Sequence, residues 1–155
     1  MRPKEGLRMK NARSMIGLPV ILESRELGRV SAVDPEDDLR ALRGIYFSCG
    51  FMGTRFVPRD KLDLIGDVAV LVHAPGRKSP PCAPALPRRA LSPDGARLGV
   101  ITDAIVDEET FAIPMLELSG GYLDDLTRGR DLVGAFSVTQ NGDVVIETSE
   151  GDNRS

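Results

Sequence analysis

The chain has 155 residues, 41% of them hydrophobic, with 23 acidic against 20 basic side chains and a net charge of −3. That apolar content excludes a disordered chain, and the charge excludes attraction of polyanions through the global field. Two cysteines exclude a disulfide scaffold, and no apolar run approaches the roughly 20 residues of a membrane-spanning helix.

The length suits one ordinary domain or two very small ones, each near the lower limit for a self-sufficient core. With aromatics at 5% and no tryptophan, valine, leucine, isoleucine and alanine must fill that core. Residues 1–13 carry Arg2, Lys4, Arg8, Lys10 and Arg13 and read as a basic flexible extension. No apolar signal-peptide core follows, so a reducing cytoplasm is the expected compartment.

Residues 14–73 read as a first all-β unit. Leu27-Gly28-Arg29-Val30 opens a strand, and Asp34-Pro35-Glu36-Asp37-Asp38 forms an acidic turn. Ile45-Tyr46-Phe47 is a second strand, followed by the glycine-flanked tip Gly50-Phe51-Met52-Gly53. A brief helical turn is expected at Arg59–Leu62, and Val68 to Val72 closes the unit.

Residues 74–90 hold Pro75, Pro80, Pro81, Pro84 and Pro87. Proline fixes φ and donates no ladder hydrogen bond, so this segment reads as an extended, semi-rigid linker that cannot form a central strand. Residues 91–148 repeat the earlier order of features. Leu98-Gly99-Val100-Ile101 lies 71 positions after the first leucine–glycine strand. An acidic turn follows at Asp107-Glu108-Glu109-Thr110, then the apolar run Phe111 to Leu118 and the tip Gly120-Gly121-Tyr122-Leu123. A second helical turn is expected at Leu123–Arg128. Asn141-Gly142 predicts a two-residue type I′ hairpin joining Ala135–Gln140 to Asp143–Glu147. Residues 149–155 read as a disordered tail.

Three stretches of the first unit resemble the PRC-barrel family. They are Leu27-Gly28-Arg29-Val30, the strand Phe56-Val57-Pro58 with its terminal proline, and Leu64-Ile65-Gly66-Asp67 leading into Val68. The second unit matches at Leu98-Gly99, its acidic turn and Leu132-Val133-Gly134. It lacks the strand-plus-proline element, where Gly121-Tyr122-Leu123-Asp124-Asp125-Leu126 stands instead. The resemblance spans residues 14–72 and 90–147. It implies an all-β fold of two tandem small barrels joined by the proline-rich linker. The family's barrels occur in the cytoplasmic domain of a photosynthetic reaction-centre subunit, in a ribosome-maturation factor and in small bacterial proteins linked to sporulation. They serve mostly as protein-docking modules and share no catalytic residues.

The residues offer little reactive chemistry. His73 is the only histidine, at a strand end beside the linker, where it reads as an exposed side chain rather than a catalytic base. One histidine and two distant cysteines, Cys49 and Cys82, make a poor start for zinc. Asp34, Glu36 and Asp38 have the first spacings of a calcium loop. Leu39 stands where such a loop needs glycine, and Ile45 where it needs glutamate. Asp124 and Asp125 are chain neighbours that point apart and suit an exposed first helical turn. Pro81-Cys82-Ala83-Pro84 and Pro84-Ala85-Leu86-Pro87 match the spacing of polyproline ligands but also suit a plain spacer. The basic residues at the N-terminus, with Arg77, Lys78, Arg88 and Arg89 at the linker, could hold phosphate, yet few aromatics are present for base stacking.

The expected function is therefore that of a non-enzymatic adaptor, with no catalytic, cofactor or metal residues. Its partner would be another protein, or a second copy in a homodimer, contacted through Phe51, Met52, Tyr122 and Leu123. Large apolar side chains at loop tips either fold over their own unit or meet a partner. The alternatives are an RNA- or ribosome-associated maturation factor and a small-molecule-binding barrel. A barrel this small should be filled by its own side chains.

Overall fold

The computed structural model describes residues 8–120 and 131–147. Among the described residues the fold is all-β, with two curled sheets and short 3-10 turns. The first part of the chain supplies β1 (Met9–Asn11), β2 (Pro19–Leu22), β3 (Arg25–Pro35), β4 (Leu42–Ser48), β5 (Thr54–Pro58), β6 (Leu62–Ile65), β7 (Val70–Val72) and β8 (Arg77–Ser79). The rest supplies β9 (Arg88–Leu91), β10 (Arg97–Asp107), β11 (Met115–Ser119), β12 (Asp131–Val133), β13 (Phe136–Val138) and β14 (Val144–Ile146).

One sheet has the order β6-β7-β2-β3-β4-β5-β8, and the other β13-β14-β9-β10-β11-β12, with β1 added on β10. The first six strands of each order correspond one to one. In both, one central contact is parallel. Val20 lies opposite Val70 in the first sheet, and Ala90 opposite Val144 in the second. Among the described residues both orders have two ends, and each sheet is a curled half-barrel.

The leucine–glycine repeat has a physical cause. Val20 pairs with Gly28 and Ile21 with Glu26, which leaves Leu27 as the extra residue of a bulge. Ala90 pairs with Gly99 and Leu91 with Arg97, which leaves Leu98 in the same role. A bulge bends the strand and tightens its twist, which curls a short sheet. The next strand then presses close. A Cβ at Gly28 would overlap the Ser48 carbonyl oxygen, and one at Gly99 would overlap that of Ser119. Ser48 ends β4 and Ser119 ends β11. Only glycine fits either place.

The chain divides into two compact units. One comprises residues 1–85 with 105–113, and the other residues 86–104 with 114–155. The acidic turn of the second repeat thus belongs to the first unit. Within that unit, Leu42 donates its backbone N–H to the Phe111 carbonyl (2.9 Å), and Ile113 donates to the Arg40 carbonyl (2.8 Å). Ala41 and Ala112 form an antiparallel bridge between them. The core of the first unit centres on Val30, Ile45, Phe47, Val57 and Ile65, each at most 2% exposed. The second unit buries Ile101, Leu116, Leu118, Phe136, Val144 and Ile146. Val30, Ile45 and Phe47 lie 71 positions before Ile101, Leu116 and Leu118, so the two cores use equivalent positions.

The turns depart from the sequence reading. The loop at Asn141-Gly142 has three residues rather than two, and of that pair only Gly142 takes a positive φ, +90°. Thr139 causes this. Its hydroxyl oxygen accepts from the N–H groups of Asn141 (3.2 Å) and Asp143 (3.1 Å), and its carbonyl accepts from Gly142 (2.9 Å). The local acceptor draws the hairpin out by one residue. The two-residue turn with both φ positive lies elsewhere, at Glu23 (φ 50°) and Ser24 (φ 72°) between β2 and β3. The turn expected at Arg59–Leu62 is a 3-10 turn over Arg59–Lys61. The turn expected at Leu123–Arg128 lies outside the described residues.

Met9–Asn11, within the stretch read as a basic extension, pairs antiparallel with Ile105–Asp107. Arg77–Ser79, within the proline-rich stretch, pairs with Thr54–Phe56 as the last strand of its sheet. Such an end position suits a segment bounded by prolines. Past the last proline of that stretch, Pro87, β9 starts at once at Arg88 and takes a central place.

Candidate interaction surface

Four residues carry the sequence-based expectation of a partner contact. Tyr122 and Leu123 lie outside the described residues, as do Asp124 and Asp125. Phe51 and Met52 sit in the 3-10 turn Gly50–Met52, which joins β4 to β5. The turn is tied at its base. Cys49 donates to the Gly53 carbonyl (2.8 Å), Gly53 to Gly50 (3.1 Å) and Met52 to Cys49 (3.2 Å). Gly50 and Gly53 take φ of 71° and 95°, which lets the chain reverse around the two apolar residues. Phe51 is wholly exposed and Met52 is 69% exposed. Neither folds back over its own sheet, so the fixed base holds both apolar side chains in solvent.

Beside this turn lies an open depression of about 440 Å³ lined by Glu26, Leu27, Gly28, Arg29, Ser48, Cys49 and Gly50. Leu27 is its one large apolar residue. Glu26 and Arg29 form an ion pair there at 3.4 Å. The lining is mixed and the depression wide open, unlike the enclosed apolar sites that hold small ligands.

The acidic turns are occupied by cations of the chain itself. Arg43 reaches Asp34 (3.5 Å), Glu36 (3.5 Å) and Asp37 (2.9 Å). Arg59 adds a longer contact to Glu36 at 3.9 Å. Leu39 does adopt the positive φ (58°) that a calcium loop asks of glycine, but its side chain is 1% exposed and packs inward. Phe111 does the same in the second acidic turn, at φ 67° and 6% exposed. Burying a large apolar group offsets a left-handed backbone cost of about 1–2 kcal/mol.

Glu108 is 3% exposed and is met by the Arg8 guanidinium at 3.0 Å and the Lys10 ammonium at 3.9 Å. Arg8 also lies 3.5 Å from Asp67. Arg89 binds both carboxylate oxygens of Asp143, at 3.1 and 2.8 Å. Arg77 stacks its guanidinium 5.3 Å from the centre of the Phe56 ring. Several members of the two basic clusters are therefore engaged within the chain. Sequence reasoning missed the Glu108 contact because burial of a turn glutamate leaves no mark on local pattern.

His73 Nδ1 lies 2.5 Å from Asp63 Oδ1, and both side chains are half exposed. An acid–histidine pair activates a nucleophile only when a hydroxyl or thiol meets the other ring nitrogen. No described hydroxyl or thiol bonds this ring. The Cys82 thiol meets the Tyr46 hydroxyl. Burial pushes that thiol up, and the Asp34 carboxylate adds to the effect. Both influences disfavour a thiolate nucleophile. Burial likewise raises Asp34 despite its contact with Arg43.

A scan against protein-family models returns no match, and a search of curated proteins returns none either.

Proposed function

We propose that the chain is a non-enzymatic protein-binding module built from two PRC-type barrels. The observation that carries this reading is the tip Phe51-Met52. Two large apolar side chains stand in solvent on a hydrogen-bonded turn, ordered before any partner arrives. Binding energy in such interfaces comes from a few apolar anchors, and an ordered anchor loses little entropy when it docks. The repeated strand order and the leucine–glycine bulges support the duplication on which this reading rests. The pairing of Arg8, Lys10 and Arg89 with carboxylates of the same chain favours a protein partner over RNA.

Affinity purification of the full chain from cells tests this reading. A specific protein should be recovered, and Phe51→Ser with Met52→Ser should lose it while the unfolding midpoint stays put. Unchanged recovery with the double variant would remove the tip from the interface. Recovery of RNA alone would contradict the reading itself.

A further inference from the structure

The proline-rich stretch suits a spacer by composition, but its exposure follows a rhythm of three. Ser79, Cys82 and Ala85 are partly buried, whereas Pro80, Pro81, Ala83 and Pro84 between them are exposed. A polyproline II helix has about three residues per turn, so every third side chain falls on one edge. Ring closure fixes φ at Pro80, Pro81 and Pro84, and the residues before them, Ser79, Pro80 and Ala83, are held extended. Residues 80–85 lie outside every strand and helix, and none of them has a positive φ. Residues 79–85 thus form a short polyproline II segment within the first unit.

The inner edge of this segment is anchored. β8 runs along β5 as far as Ser79. The Ser79 and Cys82 side chains both meet the Tyr46 hydroxyl on β4. Just ahead of β8, Arg55 donates to the carbonyls of Pro75 (3.1 Å) and Gly76 (2.8 Å). The segment has therefore lost its conformational freedom before any partner arrives, and docking costs it little entropy.

The outer edge carries a recognisable pattern. Pro80-Pro81 and Ala83-Pro84 are exposed X-Pro pairs, separated by the residue that turns inward, Cys82. Lys78 is also exposed, and Lys78, Pro81 and Pro84 follow one another at the same spacing. Grooves walled by aromatic rings take such a pre-formed Pro-x-x-Pro ligand. A carboxylate beside the groove would pair with the leading lysine and set the direction of the bound chain.

We infer that residues 78–84 are a polyproline ligand displayed on the first unit, taken by a partner protein domain with an aromatic-walled, acid-flanked groove. This rests on the binding-module reading and names a class of partner for that module, carried by residues other than the tip.

An isolated SH3 domain that selects a basic residue ahead of Pro-x-x-Pro is the probe, titrated into the full-length ¹⁵N-labelled chain. Saturable shifts are expected at the Lys78, Cys82, Ala83 and Ala85 amides, with a dissociation constant on the order of 100 μM. Pro81→Ala with Pro84→Ala should weaken binding about tenfold or more, and Lys78→Glu about fivefold or more. Lys78→Glu serves where the double variant fails to fold. Pro75→Ala, which changes a proline ahead of β8, should leave binding as it is. No saturable shifts would overturn the inference. So would shifts centred on Phe51 and Met52, because the probe would then have docked on the tip. Binding to a synthetic peptide of residues 77–85 but not to the full chain would overturn it too, since the anchored segment would then be inaccessible. The Phe51→Ser, Met52→Ser variant should bind the probe as the parent chain does. Absent probe binding, with a specific protein still recovered from cells, sinks this ligand and leaves the binding-module reading standing. Recovery of RNA alone sinks that reading instead.

Discussion

The two sheets use one strand order but place their polar and apolar side chains differently around it. The first surrounds the cross-strand pair Tyr46–Phe56 with its own linker. Arg77 covers the Phe56 ring, and the Cys82 thiol meets the Tyr46 hydroxyl. The second has Glu117 and Leu132 at the same register, and Leu132 stays half exposed. The acidic turns differ in the same way. Arg43 of the adjoining strand β4 serves the first, whereas Arg8 and Lys10, nearly a hundred positions away, serve Glu108 in the second. The bulge glycines and core positions match between the copies. The edges and turns do not. An interior constrained by packing has few solutions, whereas an edge can be completed by whatever segment is at hand.

The largest expected effect tests the shared part. Gly28→Ala and Gly99→Ala each force a methyl into a carbonyl of the neighbouring strand. Each should cost about 3 kcal/mol in chemical denaturation, the upper range for overpacking. Comparable losses would sustain the equivalence, and tolerance of either alanine would break it.

The acidic turns should differ next. Glu108→Ala leaves Arg8 and Lys10 without their buried partner and should cost about 2 kcal/mol. Asp37→Ala removes a fully exposed carboxylate from the equivalent turn and should change stability by less than about 0.5 kcal/mol. Equal effects would mean that the two turns are held alike.

The smallest effect concerns pH. Burial raises Asp34 above the ordinary carboxylate value of 3.8, so the folded state prefers its protonated form. Its contribution to stability is then fully present below that value and is lost as pH rises through the folded one. Asp34→Asn should remove this loss, so its advantage over the parent chain should grow from acid to neutral pH. A constant difference across that window would place the ion pair with Arg43 above burial.

Much of this was readable from residue order. Leu27-Gly28 and Leu98-Gly99 mark their bulges because a strand that needs a missing Cβ has one residue to choose. The acidic turns announce themselves by composition. Leu39 and Phe111 do not, since an apolar residue in a left-handed turn is stabilised by burial that only tertiary packing supplies. Glu23-Ser24 lacks the asparagine or glycine that signals its turn type. The strand Met9–Asn11 was hidden because basic residues usually read as solvated, and Glu108 is buried by a segment far along the chain. Of the proposed contact residues, the glycines around Phe51-Met52 pointed to a tip.

The account depends on one strand order occurring twice, with a parallel contact at the centre of each copy. Long-range nuclear Overhauser contacts in the full-length labelled protein test that directly. Backbone contacts should join Val20 to Val70 and Ala90 to Val144, both in parallel register. An antiparallel pattern at either pair, or the absence of one contact while the other is strong, would contradict it.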